Sequence, residues 1–233
     1  MSMQKLSVII PVYNEKSTIR ELVEKVRRVH VAGLTKEIIV VDDGSTDGTH
    51  DILKTIKDVR VILHSENRGK GGAVKTGFQN ATGDIVLIQD ADLEYDPDEY
   101  GELLKPILSG NADVVYGSRF VGSKPHRVLY IFHYAGNRLL TLFSNLLTGL
   151  NLTDMETCYK AFRREVTDSF KDNIISRRFG IEPELTARVA RGKWRVYEVG
   201  VSYYGRTYRE GKKINWKDGI AALWHIVRFN WFS

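Results

Sequence analysis

Two rhythms of apolar residues alternate along the first 120 positions. Short β-rich runs at 6–12, 37–41, 59–63, 85–88 and 112–116 give way to stretches whose apolar residues recur every three or four positions. These are the periods of strands and amphipathic helices. Ile19, Leu22, Val23, Val26 and Val29 mark the first helix, and Ile52, Leu53 and Ile56 the second. Residues 73–79 and 97–108 predict the third and fourth. Ile85-Val86-Leu87-Ile88 is apolar throughout, as in a strand covered on both faces. Strands alternating with helices predict βαβ units, hence an α/β fold: a Rossmann-like three-layer sandwich around a mostly parallel sheet.

Beyond residue 128 the rhythm changes. Residues 129–150 carry Leu139, Leu140, Leu142, Phe143, Leu146 and Leu147 in a wide helical stripe. A core helix is the expected reading; a helix lying on a membrane interface is the alternative, which Tyr130, Phe132 and Tyr134 keep open. Residues 153–160 show little periodicity, Glu182-Pro183-Glu184 opens a helix, and 194–203 read as a strand. Leu223, Trp224, Ile226, Val227, Phe229, Trp231 and Phe232 then make a C-terminal amphipathic extension too apolar to stand wholly in water. The division expected is one domain over 1–205 and a basic, aromatic segment over 206–233.

Composition narrows the function. Lys and Arg number 34 against 29 Asp and Glu, a net charge of +5 that suits an anionic partner. Cys158 is the single cysteine, which excludes an internal disulfide and fits a reducing, cytoplasmic compartment. No apolar run approaches the roughly 18 residues of a membrane span, and Pro11 breaks the amino-terminal run, so neither a transmembrane helix nor a signal peptide is expected. Lys70 is followed by Gly71 instead of Ser or Thr, so its glycines do not form a P-loop. No G-x-G-x-x-G links the first strand and helix, which argues against a dinucleotide fold of the dehydrogenase type.

The candidate chemistry lies at the strand ends, where open α/β sheets bind ligands. Asp90 and Asp92 follow the strand at 85–88, and two carboxylates one residue apart can grip one hard divalent cation beside phosphate oxygens. Asp96, Pro97 and Glu99 are explained by capping of the next helix, which leaves Asp90 and Asp92 for another task. Tyr13, Glu15, Asp43 and Lys70 fall on loops that converge on the same sheet edge, an arrangement suited to a nucleotide. Asp42-Asp43-Gly44-Ser45 is equally an Asx turn, and the glycines around Lys70 could serve tight backbone geometry alone. Arg119 follows the fifth strand, where a planar guanidinium suits a phosphate or carboxylate, or is simply a surface arginine. Asp154 and Glu156 are candidate general bases, or caps. Between Tyr203 and Gly219, five basic residues stand among aromatics and glycines, a composition able to close over phosphates.

In sequence order, Ser7-Val8-Ile9-Ile10-Pro11-Val12-Tyr13-Asn14-Glu15, Val41-Asp42-Asp43-Gly44-Ser45-Thr46-Asp47, Asn67-Arg68-Gly69-Lys70-Gly71, Asp90-Ala91-Asp92, Gly117-Ser118-Arg119 and residues 206–213 form one set. With that set the chain resembles the inverting nucleotide-sugar glycosyltransferases of the GT-A fold, in the dolichyl-phosphate glucose and mannose synthase branch. The resemblance implies that Pro11, Tyr13, Glu15, Val41 and Asp43 hold the nucleoside, with Lys70 and Ala91 also on the donor side. It implies that Asp90, Asp92 and Glu94 hold Mg²⁺ or Mn²⁺ against the pyrophosphate. Arg119, Arg206 and Lys212 are implied near the donor and acceptor phosphates, as catalytic groups together with Asp92. Relatives often carry Gln where this chain has Glu94, and many have C-terminal membrane helices that are absent here.

The expected reaction is transfer of a hexose to a polyprenyl phosphate, with inversion, by an enzyme peripheral on the cytoplasmic membrane face. UDP-glucose is the expected donor and GDP-mannose the alternative. A phosphate acceptor has a second pKa near 6 and is already a nucleophile at neutral pH, so it needs no base. A hydroxyl acceptor would need one, and Asp154 or Glu156 would supply it. A non-catalytic nucleotide-binding module is the third reading. Nucleic acid is not an expected partner, because the basic residues cluster with glycines and form no extended stripe. The sequence carries no signal of oligomeric state.

Overall fold

Every strand and helix expected in the amino-terminal half forms. The computed structural model describes residues 4–31, 33–128, 130–178, 180–206 and 216–232, without the side chains at 216–218 and 220. In chain order the elements are β1 (Lys5–Val12), α1 (Ile19–Arg28), β2 (Thr35–Asp42), α2 (Thr49–Thr55), β3 (Arg60–Leu63), α3 (Lys70–Asn80), β4 (Ile85–Ile88), α4 (Tyr100–Leu108) and β5 (Val114–Ser118). There follow α5 (Ile131–Thr148), β6 (Lys160–Arg163), α6 (Arg164–Asp168), α7 (Ile181–Arg191), β7 (Val196–Gly200) and α8 (Trp216–Trp231).

The strands form one sheet in the order β3-β2-β1-β4-β6-β5-β7. All pairings are parallel except those of β6, which runs against both β4 and β5. Side-chain alternation divides the core in two, as a period of two requires. Leu6, Val8, Ile10 and Val12 of β1 meet α1 and α4 on one face, while Ile9 meets Ala73, Val74 and Phe78 of α3 on the other. The three-layer sandwich follows.

Local chemistry places the helix ends. In α1, Glu21 lies in the first turn and Lys25, Arg27 and Arg28 in the last, each sign opposing the helix dipole. Asp96 caps the short 3₁₀ turn before α4 by accepting from the Asp98 amide at 3.1 Å, with Pro97 opening the turn. The expected capping box does not close. Glu99 instead accepts from the Ser202 amide and hydroxyl, both at 2.8 Å, and so ties α4 to the segment after β7.

A second expectation needs correction. The stripe at 129–150 is only in part a core helix: in α5, Leu140 joins the core with Phe143 and Leu147 packed against it, while Leu139, Leu142 and Leu146 stand exposed. It packs mainly on α7 and α8, away from the sheet, so a narrow strip suffices. The aperiodic stretch ending at Lys160 leads into β6, a central strand of four residues, too short to show a period.

The amino-end edge of the sheet is locked by Glu37 of β2. Its carboxylate accepts from the Ser7 hydroxyl, from the Thr82 amide at 2.7 Å and from the Thr82 hydroxyl at 2.8 Å, and pairs with Lys5 at 2.7 Å. Burial opposes its charge, but these partners hold its pKa down to about 2. A depressed folded pKa adds stability above the unfolded value, near 4, that is lost as pH falls through the folded one. Wild-type stability should therefore decline between about pH 4 and pH 2 more steeply than that of Glu37→Gln. The difference should be on the order of 1 kcal/mol, after solvent screening at this partly exposed site. Urea unfolding across that window tests this; parallel curves would contradict it.

Candidate active site

Parallel strands bring the carboxyl ends of β1, β2, β4 and β5 to one edge of the sheet. Because β6 runs the other way, its amino end, with Cys158, Tyr159 and Lys160, reaches that same edge. Pro11 and Val41 face each other in register where β1 and β2 end. The Val41 side chain is in the core, as is that of Ala91, while Tyr13 is partly exposed.

Asp43 is buried and its two oxygens are engaged by protein. Oδ1 receives the Arg68 amide at 2.9 Å and lies 2.7 Å from His64 Nδ1, and Oδ2 receives the Gly69 amide at 2.7 Å. It thereby shapes the loop that opens α3. Gly69, at φ +79°, would place a Cβ 2.0 Å from the Arg177 carbonyl oxygen, which itself accepts from the Gly71 amide at 3.0 Å. These glycines serve close backbone approach.

Lys70, the first residue of α3, stands 2.8 Å from Asp90 Oδ1 and 3.3 Å from Glu182 Oε1. Cys158 Sγ lies 2.5 Å from its ammonium. Glu182 also pairs with the fully buried Lys160, whose ammonium donates to the Met155 and Thr157 carbonyls and lies over the Tyr116 ring. Burial opposes charge on both Lys70 and Asp90. Their attraction outweighs it, raising the Lys70 pKa and lowering that of Asp90. Cys158, Lys160 and Glu182 were not among the residues expected here. Lys160, a charge beside Tyr159, Ala161 and Phe162, was the available signal.

Arg206 gathers a second group. Its guanidinium makes a two-pronged contact with Glu15, at 3.0 and 3.1 Å, and approaches Asp92 at 3.5 Å and Glu94 at 3.7 Å. Its amide donates to Glu94 Oε1 at 2.7 Å, and Tyr203 donates to Glu94 Oε2 at 2.8 Å. Burial, with the charges of Asp90 and Glu94 nearby, pushes the Asp92 pKa up to about 7 against the pull of Arg206. Among the described residues no three acidic, histidine or cysteine side chains converge as a ready metal cage. Asp90 turns to Lys70, and Asp92 and Glu94 turn to Arg206.

Arg119 closes the third group. It grips Asp154 through Nε and Nη2, both at 2.7 Å, and its amide donates to the same carboxylate at 3.1 Å. The guanidinium carbon lies 5.1 Å from the centre of the Tyr203 ring, which links this pair to Glu94. Lys212 lies outside the described residues.

The family model for glycosyl transferase family 2 matches residues 7–170, a span that holds the sites from Pro11 to Asp154. The chain belongs to glycosyl transferase family 2. It is 26% identical, over 97% of its length and 96% of the relative's, to UDP-N-acetylglucosamine–dolichyl-phosphate N-acetylglucosaminyltransferase of Methanococcus voltae. It is 31% identical to dolichol-phosphate mannosyltransferase of Pyrococcus furiosus, over 96% of this chain and 63% of that protein. Among solved structures it resembles glucosyl-3-phosphoglycerate synthase from Mycobacterium tuberculosis, crystallised with Mn²⁺, uridine diphosphate and phosphoglyceric acid. The TM-score is 0.72 at 22% identity, covering 97% of this chain and 77% of that one, a likeness of fold. This glycosyltransferase therefore has the GT-A architecture that its strand-end motifs led one to expect.

Asp154 is 0% exposed, so removing its partner would strand a buried charge. Arg119→Ala is expected to lower the unfolding free energy by about 3–5 kcal/mol, and Arg119→Lys by less, since a lysine keeps the charge without the fork. Urea titration measures both. A loss below about 1 kcal/mol for the alanine variant would show that the pair does not hold the site together.

Proposed function

We propose that this glycosyltransferase moves one hexose, with inversion, from a nucleotide diphosphate sugar to a polyprenyl phosphate at a membrane surface. The observation that carries the reading is the state of Asp154. Of the two candidate general bases, Asp154 is wholly taken up in holding Arg119, while Glu156 makes no such pair; two guanidinium groups, of Arg119 and Arg206, border the acidic cluster. That suits a reaction between two anions. A phosphate acceptor is already deprotonated and needs charge neutralised more than a proton removed.

In the step itself an acceptor phosphate oxygen bonds to the anomeric carbon as the bond from that carbon to the diphosphate oxygen breaks. The electron pair leaves with the nucleotide diphosphate. Arg119, held in place by Asp154 through Nε and Nη2, presents its positive charge to the incoming phosphate. Arg206 is released from its carboxylates when the diphosphate competes for it, and Lys212 is assigned to the same phosphates. Pro11, Tyr13, Glu15, Val41 and Asp43 surround the nucleoside, Asp43 by shaping the neighbouring loop.

The donor set of Asp90, Asp92 and Glu94 fits Mg²⁺ or Mn²⁺ in chemistry, being hard carboxylate oxygens crowded enough to raise the Asp92 pKa. These three would hold the ion once Arg206 yields its place. Bound there, the ion would supply charge stabilisation to the leaving diphosphate.

The lipid acceptor is favoured by two relatives whose names specify dolichyl or dolichol phosphate, and by the surface of this chain. Val128, Tyr130, Ile131 and Phe132 lead into α5 exposed, and Leu139, Leu142 and Leu146 continue along it. Trp224, Trp231 and Phe232 stand exposed on and just past α8, which packs on α5. Among the described residues no helix is long and apolar enough to cross a membrane, so a peripheral attachment through these faces is the fitting one. UDP-glucose is the donor we favour, because residues 204–219 look closer to the glucosyl branch; GDP-mannose is the alternative.

Radiolabelled UDP-glucose and GDP-mannose, each incubated with polyprenyl phosphate and Mn²⁺ or Mg²⁺, should give organic-extractable label from one donor and none in EDTA. Asp92→Ala should cut that transfer at least about 100-fold, the scale of a removed transition-state contact. Full metal-dependent turnover in Asp92→Ala would sink the metal assignment. Donor binding without any lipid labelling would move the acceptor to a hydroxyl.

A further inference from the structure

One carboxylate oxygen at the site has no partner among the described residues. Asp90, Asp154, Glu182, Glu15 and Glu94 all bind partners in the protein. Glu156 Oε1 is buried and has no hydrogen-bond partner among the described residues. Leaving a buried polar atom unmade costs about 1–3 kcal/mol, so a fold that keeps one at its active site points to a ligand group that completes it.

The chain around Glu156 is pinned on both sides. The Thr153 amide donates to both Glu198 oxygens at 2.8 and 3.0 Å, and the Met155 amide to the Thr141 hydroxyl at 3.1 Å. After it, the Tyr159 hydroxyl donates to the Asp96 carbonyl at 2.9 Å, and the Tyr159 amide to the Thr157 hydroxyl at 3.2 Å. The backbone is fixed while Glu156 Oε1 remains without a partner among the described residues. Its place is equally specific. Two residues before it, Asp154 holds Arg119; two residues after it, Cys158 touches Lys70 at the Asp90 cluster. The charges of Glu182, Lys160, Arg119 and Asp154 all act on the Glu156 carboxyl.

On the proposed function, Arg119 faces the acceptor phosphate and Asp90 the donor diphosphate. The group that bridges those two in the reaction is the transferred sugar. We propose that Glu156 is a specificity-determining residue that hydrogen-bonds a ring hydroxyl of the transferred hexose. The assignment rests on that reading of the site. It differs from a base role because the carboxyl addresses the donor sugar and leaves the nucleophile alone. A carboxyl in either protonation state can pair with a hydroxyl, which both donates and accepts.

The test reads donor binding apart from transfer. Kd values for UDP and GDP, and for UDP-glucose, GDP-mannose and their monodeoxy analogues, are measured in wild type, Glu156→Gln and Glu156→Ala, with melting curves to confirm folding. The nucleotide diphosphates should bind all three within about 2-fold. For the parent sugar nucleotide, Glu156→Ala should lose roughly 10- to 100-fold in Kd or kcat/KM, the range for a hydrogen bond to a charged group, and Glu156→Gln less. For one monodeoxy donor the loss should vanish, naming the hydroxyl that is read.

Equal losses on every analogue, or no loss on any, would overturn the proposal. So would a collapse of turnover in Glu156→Gln with sugar-nucleotide binding intact, which is the signature of a base. If lipid transfer fails while the sugar-dependent binding difference persists, the acceptor reading falls and the Glu156 assignment stands.

Discussion

The site is organised by a buried chain of alternating charge, Asp90–Lys70–Glu182–Lys160. It joins the end of β4, the start of α3, the start of α7 and the start of β6. Each member is costly to bury alone, and each is tolerable only because the next is in place. Lys160 is the extreme case, a fully buried ammonium satisfied by one carboxylate, two carbonyls and an aromatic face. The chain therefore fixes four elements relative to one another at the edge where the loops meet. It also orients Asp90, because an ion pair on one side of a carboxylate limits where its remaining lone pairs point.

Asp92, two residues on, lies outside that chain and shows the reverse condition. It is buried with acids around it, and the Arg206 guanidinium at 3.5 Å does not offset them, so its ionised form is disfavoured while Asp90 remains charged. Charge is thus partitioned between two neighbouring carboxylates by their partners. Arg206 serves as the counter-cation for Glu15, Asp92 and Glu94 together. A cation entering this group must compete with that guanidinium, and a diphosphate entering beside it offers the guanidinium somewhere to go. The two ligands would then favour each other's binding without any contact between distant parts of the fold.

Much of this was legible in the sequence. The alternation of periods defined the sheet and its helices, and the rule that parallel strands present their carboxyl ends together placed Glu15, Asp43, Asp90 and Arg119 on one edge. Three features were not legible, each for a physical reason. β6 is four residues long, and a central strand that short has no measurable period, so the reversal that brings Cys158 and Lys160 to the site went unseen. Glu182 looked like an ordinary first-turn acid because the helix dipole explains such a residue without any further partner. The stripe on α5 has a core helix's composition but little of its burial, since periodicity reports that a face is apolar and is silent on what covers it.

That exposed face is tied to the chemistry by chain connectivity. Arg119 directly follows β5, the chain then passes Val128 and Tyr130 and the length of α5, and it returns at Thr153 and Asp154. The Arg119–Asp154 pair closes the base of this excursion, so α5 is in effect a long loop whose two ends are locked to each other at the site. On the proposed function, a lipid settled beneath α5 would bring its phosphate toward the Arg119 guanidinium. A free sugar acceptor would gain nothing from the exposed face. On that same proposed function, the closure of this loop by an ion pair would make the apolar surface and Arg119 parts of one device.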